Sequence, residues 1–141
     1  MAANRDDAAA KVCEQGAGNL LSELSGFYAK NGRWEPIERV SSAKTGVALS
    51  PGSGKNGIEE ADGTVLAAGG SLHYVCNGEE IVTFTPVARS YTDSVGVKHD
   101  EMHLDVIDPA SATTIPAKIA GTDFNNRDFF KSNPGYVIGG N

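Results

Sequence analysis

An apolar stripe near the N-terminus most constrains how this chain can fold. Between residues 5 and 31, apolar side chains recur at spacings of three and four, which predicts an amphipathic helix with one buried face: Ala9, Val12, Cys13, Ala17, Leu20, Leu21, Leu24, Phe27 and Tyr28. Asn4 is predicted to cap its start, and Gly32 to end it in a left-handed conformation. Each glycine inside the stretch costs about 1 kcal/mol relative to alanine. Packing against the rest of the chain must therefore stabilise this helix.

Composition sets the size and the surface charge. The chain has 141 residues, 40% of them hydrophobic and 21% charged, which predicts a single domain over residues 1–141. The formal net charge of −6 and the pI near 4.9 predict that the surface as a whole repels nucleic acid and anionic lipid. No apolar run is long enough to cross a bilayer. Contact with a membrane is therefore expected only through a segment outside this sequence.

Strand-forming sequence fills the middle of the chain. After a Pro- and Gly-rich loop at 33–63, with a short strand at 45–49, residues 64–120 predict an antiparallel sheet. Its expected strands are 64–68, 71–76, 81–90, 102–107 and 113–120, the last at an edge because it contains a proline. Residues 121–141 are predicted to be mostly loop, with a short helical turn and a last strand at 136–138. The fold class is therefore α+β: a long helix on an antiparallel sheet, with an irregular C-terminal region.

Asn77-Gly78 predicts the turn of a β-hairpin in the middle of the sheet. Two geometries are compatible with the sequence. Asn77-Gly78 can form a two-residue turn, or residues 77–80 can form a four-residue loop that places Val75 opposite Val82 and His73 opposite Phe84. The longer loop is the preferred interpretation.

Cys13 and Cys76 are the only two cysteines. Cys13 lies on the apolar stripe and Cys76 ends a predicted strand, so a disulfide would join helix to sheet across a loop of about 60 residues, with about 4 kcal/mol of stabilisation. Such a bond implies an oxidising, extracytoplasmic compartment. Two buried free thiols are the alternative, and they would allow a cytosolic protein. Mass spectrometry without reductant distinguishes the two.

His99 and His103 are weak candidates for metal ligands. Four residues apart, they would lie on one face of a helix and could bind a divalent cation. On the strand that the pattern favours, they lie about 13 Å apart, too far for one ion. A polar strand edge is therefore the preferred interpretation. His73 is as easily a half-buried strand residue as a site residue.

No residue set predicts catalysis or a cofactor. The chain lacks a Gly-x-Ser-x-Gly nucleophile motif and a cysteine in a reactive setting. The carboxylate pairs Glu59-Glu60 and Glu79-Glu80 fall in loop-like segments that are exposed to solvent. Exposure would leave the two pKa values of each pair similar, whereas acid–base catalysis requires them to differ. We therefore expect a non-enzymatic protein without a cofactor.

The segment LLSELSGFYAKNGRW at residues 20–34 resembles the end of the first helix in the soluble heads of type IV pilins and type II secretion pseudopilins. Trp34 stands where that family often has tyrosine, and Pro36 follows one residue late. The order of a long loop, an antiparallel meander with IVTFTP at 81–86 and an irregular C-terminal region is also similar. In that family the preceding half of the helix is the membrane anchor and filament core.

This resemblance implies an extracytoplasmic structural subunit, in the periplasm or at the cell surface. Its expected partners are other pilin-like subunits, contacted through the N-terminal helix in a filament. Its loops would be presented for adhesion or secretion.

A second resemblance implies a different function. DFNNRDFFKSNPGYVIGG at residues 123–140 is similar to a segment of extracytoplasmic Cache sensor domains that helps frame a small-ligand pocket. The alternative is therefore a Cache- or PAS-like sensor domain, whose ligand would lie near Arg127, Asp128, Phe129 and Phe130. A third alternative is a small enzyme of cystatin-like or nuclear-transport-factor-like fold, because those folds also lay a helix across a sheet.

Overall fold

The computed structural model describes residues 2–127 and 136–140. Within this part the helices are α1 (Ala2–Asn31), α2 (Ile37–Val40) and α3 (Ile115–Asn125); the strands are β1 (Gly57–Ile58), β2 (Leu72–Cys76), β3 (Glu79–Thr92), β4 (Lys98–Ile107) and β5 (Tyr136–Gly140). The strands form one sheet in the order β1-β2-β3-β4-β5, and every neighbouring pair is antiparallel. The predicted α+β class, with a long N-terminal helix and an antiparallel sheet, is confirmed.

One face of α1 is buried along its length. α1 packs on α3 and on strands β2 and β5, and its fully covered residues are Ala10, Cys13, Ala17, Leu20 and Leu24. At its C-terminal end, Gly32 adopts φ +67° and its N–H donates to the Tyr28 carbonyl oxygen at 2.8 Å, as predicted. At the other end the helix begins at Ala2, so Asn4 lies inside it and is not the cap.

Gly16 explains how a helix rich in glycine lies so close to the sheet. A Cβ atom at this position would be 1.9 Å from the Tyr74 hydroxyl oxygen, and Tyr74 is only 4% exposed. Glycine is therefore required for the close approach of α1 to β2. Gly26 faces open space instead, with nothing within 4 Å of a Cβ.

Alanine substitutions at these two glycines should have opposite effects. We expect Gly16→Ala to lower the free energy of unfolding by about 1–3 kcal/mol, because the buried Tyr74 ring must move. Gly26→Ala should raise it by about 0.5–1 kcal/mol, since alanine is the better helix former. Equilibrium urea unfolding measures both. Equal effects at the two positions would contradict this helix–sheet contact.

The β2–β3 hairpin has the shorter of the two predicted turns. Asn77 and Gly78 both have positive φ values, 53° and 78°, which is typical of a two-residue type I′ turn. Cys76 pairs with Glu79, and a register shift after Tyr74 places Tyr74 opposite Val82. The four-residue loop was therefore wrong, as were its pairings; His73 lies opposite Thr83 instead.

The predicted edge strand at 113–120 is wrong. These residues lead into α3, and Pro116 occupies the first turn of that helix. Proline is favoured there because the first helical N–H groups have no partner within the helix. The proline therefore marks a helix start rather than a sheet edge.

Glu79 holds the start of α3. Its Oε1 accepts hydrogen bonds from the Thr113 N–H (2.7 Å) and hydroxyl (2.6 Å), and its Oε2 from the Thr114 N–H (2.9 Å) and hydroxyl (2.5 Å). This long-range contact joins the first residue of β3 to the N-terminus of α3. A local pattern does not reveal it.

Several other predicted ranges are corrected. Residues 64–68 contain only an isolated bridge between Pro36 and Val65, and 45–49 form no strand. The loop at 33–63 contains α2 and β1. Residues 121–125 continue α3, and the last strand, predicted at 136–138, extends to Gly140. These segments are short and depend on long-range pairing, so their own sequence carries a weak signal.

Candidate functional site

The predicted disulfide is present. Cys13 on α1 is bonded to Cys76 at the end of β2, across a sequence separation of 63 residues, and the two Cα atoms lie 5.6 Å apart. Both side chains are buried, and no cysteine is free. The bond fastens the centre of α1 to the sheet and indicates an oxidising, extracytoplasmic environment. Over residues 2–127 and 136–140, no helix combines the length and apolar character needed to span a bilayer.

The residues predicted for a sensor pocket are only partly described. Arg127 lies beyond α3, with its guanidinium carbon 4.5 Å from the centre of the Phe124 ring. Asp128, Phe129 and Phe130 lie outside the described residues. An open cleft of about 220 Å³ lies between α3, the start of β3 and residues 108–112, and Arg127 does not line it.

His99 and His103 both lie on β4, as the strand interpretation required. His99 Nε2 lies 2.7 Å from Asp93 Oδ2, whereas His103 Nε2 lies 2.8 Å from Glu101 Oε2. Each imidazole therefore has its own carboxylate partner. The two are not brought together around a common point.

A different group of ionisable side chains does converge. Glu59 and Glu60 directly follow β1, and the Glu59 N–H donates to the His73 carbonyl oxygen at 3.0 Å, so the chain beyond β1 still runs beside β2. Glu60 Oε2 lies 2.7 Å from His73 Nδ1, and Glu59 Oε1 lies 3.7 Å from the same nitrogen. Glu80 on β3 shares a hydrogen bond with Glu59. We call Glu59, Glu60, His73 and Glu80 the carboxylate–histidine cluster.

Burial and neighbouring charges shift the pKa values of Glu59 and His73 in this cluster. Burial raises the pKa of Glu59 to about 6, together with the hydrogen bond to Glu80 and the negative charges of Glu80 and Glu60. Burial alone would lower the pKa of His73, but the hydrogen bond to Glu60 and the surrounding carboxylates raise it. The side chains of Glu59, Glu60 and His73 are 32%, 19% and 26% exposed, so they remain accessible from solvent.

Local sequence patterns do not predict this cluster. The pattern around Glu59-Glu60 predicts a solvated loop pair, and it assigns no partner to His73. The strand β1 is only two residues long, and it pairs Ile58 with Tyr74, which brings the glutamates beside His73. The only sequence feature that pointed to the cluster was the presence of a carboxylate pair and a strand histidine in the same chain.

The geometry of the cluster permits cation binding. Comparison of this chain with known protein families, with curated proteins and with solved structures found no match.

Proposed function

We propose that this protein is an extracytoplasmic structural subunit of pilin type, which assembles through α1 and is not an enzyme. Two features support the proposal together. The disulfide fastens α1 to the sheet, and the sheet is an antiparallel meander that follows the helix in sequence. A subunit that transmits load through a helix needs that helix fixed to its globular part.

The strongest support for assembly through α1 comes from the outward face of this helix. From Val12 to Ala29, six exposed and uncharged residues recur at spacings of three and four: Val12, Gln15, Asn19, Ser22, Gly26 and Ala29. We call them the outer helix stripe. The solvent face of a helix usually bears charged residues, and small uncharged side chains instead allow close packing of another helix. Val12 is 58% exposed despite its apolar side chain.

In this proposal the outer helix stripe contacts the α1 helices of neighbouring copies, and the loops face outward for adhesion or secretion. In this proposal the assembly lies in the periplasm or at the cell surface, and the disulfide supports a compartment in which thiols are oxidised. Because the net charge is −6, long-range electrostatic attraction does not favour nucleic acid as a partner.

Photo-crosslinking in cells that express the protein from its full gene tests this proposal. A photoreactive amino acid at Asn19, in the middle of the stripe, should yield adducts between copies of the chain. The matched control is Thr122, which is exposed on α3 and does not belong to the stripe. Absence of self-adducts at Asn19, or equal yields at both positions, would contradict assembly through α1.

A further inference from the structure

We infer that Glu59, Glu60 and His73 bind a divalent cation of the Zn²⁺ class, with the negative charge of Glu80 close by. This site is independent of the proposed assembly through α1. The inference rests on the positions of the ligand atoms, on how the side chains are held and on uncompensated charge.

The ligand atoms already converge. One oxygen from each glutamate and one nitrogen of His73 lie within 4.8 Å of one another. Ligand atoms around a tetrahedral Zn²⁺ with bonds of about 2.0–2.1 Å are roughly 3.3 Å apart. The two distances from His73 Nδ1, 2.7 Å and 3.7 Å, lie on either side of that value. Small side-chain rotations therefore suffice to enclose an ion.

Backbone N–H groups hold Glu60 in position before an ion binds. Glu60 Oε1 accepts the His73 backbone N–H at 2.8 Å, which orients the carboxylate so that Oε2 faces the imidazole. The Glu60 carbonyl oxygen accepts the Gly46 N–H at 2.8 Å, which anchors the backbone from the other side. Side chains held in this way lose little conformational freedom when the ion binds.

The cluster carries negative charge that the described side chains do not neutralise. Three carboxylates surround one imidazole, so the group remains negative even when His73 is protonated. Among the ion pairs of the described side chains, neither Lys nor Arg pairs with Glu59, Glu60 or Glu80. A divalent cation would replace the proton between His73 Nδ1 and Glu60 and offset the remaining repulsion.

The donor types select the kind of cation. Imidazole nitrogen with carboxylate oxygen suits Zn²⁺, whereas Ca²⁺ and Mg²⁺ prefer oxygen ligands alone. Cu⁺ prefers thiolate and thioether ligands, which this cluster lacks. Bound there, the ion would join the segment after β1 to strand β2. The bound ion would therefore cross-link the connection between α2 and β2 to the sheet.

Calorimetric titration of tag-free, metal-stripped protein with Zn²⁺ tests the inference, with Ca²⁺ and Mg²⁺ as comparison ions. We expect a single Zn²⁺ per chain, weaker binding of the other two ions, and a higher unfolding midpoint when Zn²⁺ is present. His73→Gln and Glu60→Gln should each weaken binding at least about tenfold. The matched control is His103→Gln, which removes an imidazole that also contacts a glutamate on the same sheet.

Circular dichroism without metal shows whether each variant is folded. If Glu60→Gln fails to fold, Glu59→Gln replaces it, because Glu59 makes no contact to the His73 backbone through its side chain. Wild-type protein that does not bind Zn²⁺ at millimolar concentration would overturn the inference. So would binding that survives His73→Gln, or binding that His103→Gln weakens equally.

Discussion

Replacing both cysteines with alanine should lower the free energy of unfolding by about 4 kcal/mol. The disulfide closes a loop of 63 residues, and in the chain-entropy account a loop of this length restricts the unfolded chain by that amount. Alanine keeps the two buried positions apolar, so the change reports mainly the covalent bond. Equilibrium urea unfolding of Cys13→Ala/Cys76→Ala measures it.

Reduction of the wild-type protein provides the control. Dithiothreitol should destabilise the wild type by a similar amount and leave the double variant unchanged. The loss is large compared with the total stability of about 5–15 kcal/mol that is typical of a domain. A loss below about 1 kcal/mol would show that packing alone holds α1 on the sheet.

Glu79→Gln should cost about 3 kcal/mol at neutral pH. Burial opposes ionisation of Glu79, but the four hydrogen bonds from Thr113 and Thr114 outweigh it and hold its pKa at about 2, against an ordinary value of 4.5. That difference corresponds to about 3 kcal/mol of stability from the ionised carboxylate. Glutamine offers only one acceptor oxygen, so donors at the start of α3 lose their partner. Thermal and urea unfolding at pH 7 measure the loss.

The same carboxylate predicts how stability depends on pH. Because the pKa of Glu79 is lower in the folded chain, its contribution is complete above about pH 4.5 and disappears as the pH falls toward 2. The difference in stability between wild type and Glu79→Gln should therefore shrink across that window. Asp100→Asn, which changes an exposed carboxylate on β4, should stay within about 0.5 kcal/mol of the wild type throughout. A constant difference between wild type and Glu79→Gln would contradict the capping role.

Local signals predicted the elements that are long or chemically marked. The stripe at 5–31 recurs with helical spacing over seven turns, and Gly32 marks its end, so the C-terminal end of α1 was predicted correctly, whereas its start lies three residues earlier than predicted. The disulfide was inferred from where Cys13 and Cys76 fall on their elements. The position of the β2–β3 hairpin followed from Asn77-Gly78.

Features that depend on distant residues were not predictable in this way. A proline fits both an edge strand and a first helical turn, and the choice at Pro116 depends on Glu79, more than thirty residues earlier. The hairpin register includes a bulge after Tyr74 that no local pattern indicates. Glu59 and Glu60 become site residues only because β1 pairs with β2.

Disulfide mapping of unreduced protein tests most directly that α1 is fastened to the sheet. Trypsin cleaves after Lys11, Lys30, Lys55 and Arg89, so Cys13 and Cys76 fall on the peptides 12–30 and 56–89. Mass spectrometry of alkylated protein from its native compartment should find these two peptides joined, and separated on reduction. Two alkylated, unlinked peptides would contradict the fastened helix and, with it, the extracytoplasmic assignment.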